Sequence, residues 1–192
     1  VFAPTVAVVK DRRWGRTYEG YSSEAPIIKA YAREMVTGLQ GGPGELRTNE
    51  RRVIATAKHF IGDGGTYRGI DQGDTRVDLE QLLNDHGQGY ITALDAGVQT
   101  VMASFNSWNG TKIHGHKFLL TDILKDKLEF DGFVISDWNG IGQVDGCVNE
   151  SCALAINAGV DMVMVPKKWK AFLQNTLAQV KAGEISIDRI DD

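Results

Sequence analysis

The chain has 192 residues, 42% of them apolar and 24% charged, with a net charge of −4. That length and balance suit one globular domain with a sizeable core. The acidic sign argues against a nucleic-acid surface, and no run of about 18 apolar residues offers a membrane span.

Apolar strand-like runs and helical periods then alternate along the chain. Residues 1–9, VFAPTVAVV, read as a strand that starts without a secretory leader. The loop 10–22 is crowded with Arg12, Arg13, Arg16, Trp14 and Tyr18. Residues 24–40 are a predicted helix with Ser23 as N-cap, Gly41-Gly42 as the stop, and Ile28, Tyr31, Met35 and Leu39 on one face. A second strand, 53–60, leads into the loop 61–77, IGDGGTYRGIDQGDTRV. Loops this long in a compact domain are usually functional or disordered, and glycines let backbone approach a ligand. A helix over 79–96 follows Asp78, and a strand spans 98–104. The helix 117–128 carries Leu120, Ile123, Leu124 and Leu128, and the strand 132–137 follows. Cys147 and Cys152 sit in GCVNESC, either as a local disulfide, which implies an oxidising compartment, or as two reduced thiols. Residues 150–158 are helical, 160–165 are a strand, and 167–182 are a helix carrying Trp169, Phe172, Leu173, Leu177 and Val180. The chain stops just after a helix start at Ser186, and both ends read as cut.

The strands are nearly continuous apolar runs, which suits parallel strands covered on both faces. Five β/α units in a row imply a parallel α/β sheet with right-handed crossovers. Two closures stay open at this point: a doubly wound sheet, or most of a barrel, since a complete eight-stranded barrel takes about 250 residues.

In either closure the loops after the strands converge on one face. Arg16 follows the first strand, Lys58-His59 end the second, Ser104-Phe105 end the third, and Asp137-Trp138 end the fourth. Each has a plain alternative. Asp137 suits a helix cap, Lys58 suits a loop ion pair, His59 suits a satisfied half-buried histidine, and one arginine of RRWGRTYE suits a pair with Glu19. Taken together, cations and an imidazole around a carboxylate, with the Trp138 indole beside it, fit an uncharged polyhydroxylated ligand and a carboxylate nucleophile. The histidines of HGH, His114 and His116, lack a neighbouring cysteine or well-placed acid, so neither a metal site nor a cofactor is expected. The GDGG loop lacks the Walker and dinucleotide spacings.

Taken in order, RRWGRTYE, KHFIGDGGT, VMASFNSWNG and GFVISDWNG closely resemble family-3 glycoside hydrolases, specifically the bacterial exo-1,3/1,4-β-glucanase and β-glucosidase group. NAGVDMVMVP and GEISIDRIDD fit as well, so the resemblance covers the whole chain. It implies a (β/α)8 TIM-barrel domain, present as a partial barrel of about five β/α units, and retaining cleavage of terminal β-D-glucosyl residues. It implies Asp137 as nucleophile, Arg16, Lys58 and His59 on the sugar hydroxyls, and Trp138 as one wall. The acid/base is then a glutamate on a second domain absent from this sequence, the substrate a β-glucoside or β-glucan oligosaccharide, and the location periplasmic or secreted. Phe105 stands where some relatives carry tyrosine, and Gln143 where some plant relatives carry arginine. The loop after KHF contains no histidine before His86, which argues against the hexosaminidase branch. Glu19, Asp63, Asp71 and Glu150 have no persuasive context for the second carboxylate. The competing expectation is a fragment that binds glucose or a β-glucan oligomer without turnover.

Overall fold

A computed structural model describes residues 1–42 and 44–192. Three strands, Thr56–Phe60, Thr100–Ala103 and Phe133–Ile135, form a parallel sheet in sequence order. Thr56, Ala57 and Lys58 lie opposite Thr100, Val101 and Met102, which lie opposite Phe133, Val134 and Ile135. The first segment joins one edge through a bridge between Thr5 and Lys58, and Met162 joins the other through a bridge to Ile135. Across these five segments the order never reverses, whereas a doubly wound sheet has a reversal point.

Residues 1–9 and 160–165 are not regular strands, contrary to the sequence expectation. Pro4 has no N–H to give a ladder, and Val9 turns away to donate to the Ser22 carbonyl. On the far edge the Asp161 carboxylate accepts from the Val134 N–H at 2.6 Å, and a side chain takes a main-chain position.

The helix Ala25–Gln40 has its expected limits but a different cap and face. Glu24, not Ser23, is the N-cap, and it makes no side-chain capping bond. Ile28, Ala32, Val36 and Gln40 are buried, while Tyr31 is exposed and Met35 and Leu39 are half-buried. The neighbouring helix comes so close that the Thr92 hydroxyl donates to the Lys29 carbonyl at 2.8 Å. Only small or branched side chains fit such a contact. That neighbour starts at Leu79 with Asp78 accepting from the Gln81 N–H, runs through a π-helical stretch at Leu82–Gly87, and ends at Asp95. Tyr90 from it meets Phe60 edge-on, ring centroids 5.0 Å apart, in the middle of the core.

The helix expected from 150 is shortened to Ala153–Asn157, because Cys147 and Cys152 are joined in a disulfide and Cys152 becomes the N-cap. The helix Trp169–Lys181 does not bury its apolar residues: Trp169, Leu173 and Leu177 are exposed, and Phe172 is only partly covered by the core. Among the described residues no helix is long and apolar enough to cross a membrane.

Candidate active site

Lys58 and His59 stand at the end of the first ladder strand because Thr56–Phe60 alternates its side chains there, one half-buried and one buried. Both the Lys58–His59 and Phe60–Ile61 peptide bonds are cis. Arg16 arrives from the preceding loop, at the start of the 3₁₀ turn Thr17–Glu19. Gly64 lets the glycine-rich loop lie directly on the Val8 carbonyl, where a Cβ would overlap it. This places Asp63 under His59.

The side chains form one connected network. Glu19 accepts from Arg16 through Nε at 2.7 Å and Nη2 at 2.9 Å, a bidentate grip, and lies 3.6 Å from Lys58 Nζ. Arg16 Nη2 also lies 3.0 Å from His59 Nε2. A guanidinium can only donate, so His59 Nε2 accepts, and the ring proton sits on Nδ1. From there it is donated to Asp63 Oδ2 at 2.9 Å. His59 is thus assigned as a neutral imidazole of fixed tautomer. Burial works most strongly against the Arg16 charge, but the Glu19 hydrogen bonds together with the negative charges of Glu19, Asp137 and Asp63 outweigh it and raise its pKa above the usual value. The same hydrogen bonds hold the Glu19 carboxyl below the usual range.

Asp137 enters this network from the end of Phe133–Ile135, two strands along the sheet. Its Oδ1 accepts from the Trp138 N–H at 2.7 Å. Its Oδ2 is enclosed without a hydrogen-bond partner, 3.6 Å from His59 Nε2 and 4.0 Å from Arg16 Nη1. The other carboxylates are engaged. Asp63 also accepts from the Gly64 N–H, Asp71 accepts from the Trp14 indole at 3.0 Å, and Glu150 pairs with Lys168 at 3.3 Å. Trp138 itself is 61% exposed, a free indole plate next to the carboxylate. Trp108 is different: it is half-buried and donates its indole N–H to the Val77 carbonyl.

The structure brings Arg16, His59 and Asp137 together and ties Lys58 to them through Glu19. The pair expected between Glu19 and an arginine of RRWGRTYE is found, on Arg16, while Asp63 as anchor of the imidazole escaped the sequence reading. KHF-x2-D spacing was the available signal for Asp63, four residues after His59. His114 was read only as an unpersuasive metal ligand. It is fully buried, and its Nε2 accepts from the Asp137 N–H at 2.9 Å. Burial, reinforced by the Lys112 cation, lowers the His114 pKa to about 3.

This depressed value has a sign. Between about pH 6.5 and about pH 3 the unfolded chain carries a proton on His114 that the folded chain does not. Stability therefore falls as pH drops through that window, by about 1.4 kcal/mol per pH unit from this group, and is unaffected by it above. Thermal midpoints measured from pH 7 to 4 are expected to decline less steeply in His114→Gln than in the parent, since the amide does not titrate.

Comparison with known proteins agrees along the whole chain. The family model described as "Glycosyl hydrolase family 3 N terminal domain" matches residues 1–192. The chain is 30% identical over 196 residues to a periplasmic beta-glucosidase of Salmonella typhimurium, covering all of this chain and 25% of that protein. It is 36% identical to a beta-xylosidase of Formosa agariphila, covering 81% of this chain and 22% of that one. Among solved structures, an exo-1,3/1,4-beta-glucanase from a Pseudoalteromonas species is 59% identical with a TM-score of 0.96, covering 98% of this chain and 24% of that one. A beta-glucosidase from Listeria innocua, solved in complex with glucose, is 27% identical with a TM-score of 0.90, covering all of this chain and 27% of that one. The same Listeria enzyme, as a mutant, was solved with laminaribiose. The chain spans about a quarter of the length of the relatives it matches.

Proposed function

Because the chain belongs to glycosyl hydrolase family 3, residues 1–192 matching that family's N-terminal domain, we propose that it carries the nucleophile and first sugar subsite of a retaining β-glucosidase or exo-β-glucanase. The family's domain is a TIM-barrel-like α/β fold. The five sequential segments are part of such a barrel, and the exposed Trp169, Leu173 and Leu177 suit a face that further barrel elements cover. Asp137 attacks the anomeric carbon of a terminal β-D-glucosyl residue. The bond to the leaving oxygen breaks as that oxygen takes a proton, and water then releases glucose from the aspartyl ester. One observation carries this reading. Asp137 Oδ2 faces a guanidinium and an imidazole without being bonded to either, while every neighbouring carboxylate is engaged.

Arg16 and Lys58 bind the glucosyl hydroxyls, His59 takes one at Nε2 in exchange for its contact with Arg16, and Trp138 lies along the ring's apolar face. A glucosyl substrate fits the 59% identity with the exo-glucanase and the glucose and laminaribiose held by the Listeria relative. Glu19 and Asp63 are committed to Arg16 and His59, so the acid/base comes from a second domain outside residues 1–192. The periplasmic relative and the Cys147–Cys152 disulfide support a periplasmic or secreted location.

The subsite assignment has a direct test. Lys58→Ala and His59→Ala, each in the full-length protein, are expected to lower kcat/KM for an aryl β-glucoside by about 2–4 kcal/mol of transition-state binding, roughly 30- to 1000-fold. Values within about threefold of the parent in both folded variants would make the pair structural.

A further inference from the structure

The Asp137 main chain has a supporting contact that the proposed chemistry does not use. At Ser136 the chain is still on the sheet, with its N–H donating to the Met162 carbonyl at 2.8 Å. One residue later it leaves, and the Asp137 N–H has no ladder partner. A buried N–H without an acceptor is costly, and water would satisfy it without fixing its direction. Here the acceptor is the Nε2 of His114, a rigid ring that is 1% exposed on the turn Ile113–Gly115. The ring is wedged in place. A Cβ at Gly140 would overlap it, and the Phe105 ring lies tilted against it with centroids 5.9 Å apart.

We propose that His114 is a positioning residue for the hydrolytic reaction, holding the Asp137 peptide so that its carboxylate points at the anomeric carbon. The inference rests on the reading of Asp137 as nucleophile. With its own N–H held by His114 and its Oδ1 held by the Trp138 N–H, the carboxylate is fixed from two sides. Its Oδ2 is then directed toward Arg16 and His59. The role requires an unprotonated Nε2, because a charged imidazole would aim a second N–H at the first. Burial against Phe105 and Gly140, with the Lys112 cation nearby, maintains that state.

The test compares His114→Leu and His114→Gln in the full-length protein with a dinitrophenyl β-glucoside. Leucine fills the space without an acceptor, whereas the glutamine Oε1 reaches the position of Nε2. Misplacement of a reacting group by about 1 Å can cost about 100-fold, so leucine is expected to lower kcat about 10- to 100-fold. KM and inhibition by glucose should stay within about threefold, and glutamine should recover kcat to within about fivefold of the parent. If leucine does not yield folded protein, His114→Asn replaces it, with an amide too short to reach. Parent-like kcat in leucine or asparagine, or equal loss in glutamine and leucine, overturns the inference. A parent-like His114→Leu beside an inactive Asp137→Asn removes this inference alone; an active Asp137→Asn removes the underlying reading.

Discussion

Asp137→Asn in the full-length protein is expected to abolish turnover of an activated β-glucoside, by about 10⁴-fold or more in kcat, while binding of glucose changes little. Loss of a covalent nucleophile elsewhere costs on this order or more, since the remaining machinery supplies only binding and charge stabilisation. The amide has the shape of the carboxylate, and its carbonyl oxygen still accepts from the Trp138 N–H. Arg16, Lys58 and His59 keep their own anchors on Glu19 and Asp63, so the sugar's hydroxyl partners stay in place. What is lost is the charged oxygen between Arg16 and His59. A fall in glucose affinity of the same size as the fall in kcat would mean that Asp137 holds the site together rather than attacking the sugar.

The second large effect concerns the proton. Residues 1–192 expressed alone are expected to release dinitrophenolate from its β-glucoside but to leave cellobiose uncleaved. Cellobiose needs its leaving oxygen protonated as the bond breaks, and such help is typically worth about 10²–10⁴-fold. Dinitrophenolate leaves without it. Glu19 is held ionised by Arg16, and Asp63 accepts from His59 and the Gly64 N–H, so neither offers a proton. Cellobiose cleavage by this chain at a rate near that of the full-length protein would place the acid inside it, with Glu19 and Asp63 tested next. Binding of glucose with no phenolate release would favour the non-catalytic alternative.

Much of this site is legible in the sequence. A carboxylate, an imidazole and a lysine at the ends of the second and fourth apolar strands converge because parallel β/α order sends those ends to one face. Asp137, His59 and Arg16 do meet there. The interior of the network was less legible. Glu19 and Asp63 serve as anchors only because a 3₁₀ turn and a glycine loop bring them to their partners, and such contacts depend on loop paths that hydrophobic periodicity does not encode. His114 is 23 residues from Asp137, and nothing in the HGH spacing distinguishes a main-chain acceptor from a surface histidine. On Ala25–Gln40 the largest apolar residues mark the core face only at Ile28, because close helix packing selects Ala32 and Val36 over Tyr31, Met35 and Leu39. Trp169, Leu173 and Leu177 of the helix Trp169–Lys181 lie exposed, since periodicity shows which face is apolar and not what covers it.

The central claim is that Asp137 forms the covalent bond to the sugar. A dinitrophenyl glucoside bearing fluorine beside the anomeric carbon allows the first step through its leaving group and slows the second, so the intermediate accumulates. Digestion and mass spectrometry of the trapped full-length protein then locate the sugar. One fluoroglucosyl group per chain bonded to Asp137, with one equivalent of phenolate released, is the expected result. A sugar attached to Glu19, Asp63 or any other carboxylate would contradict it.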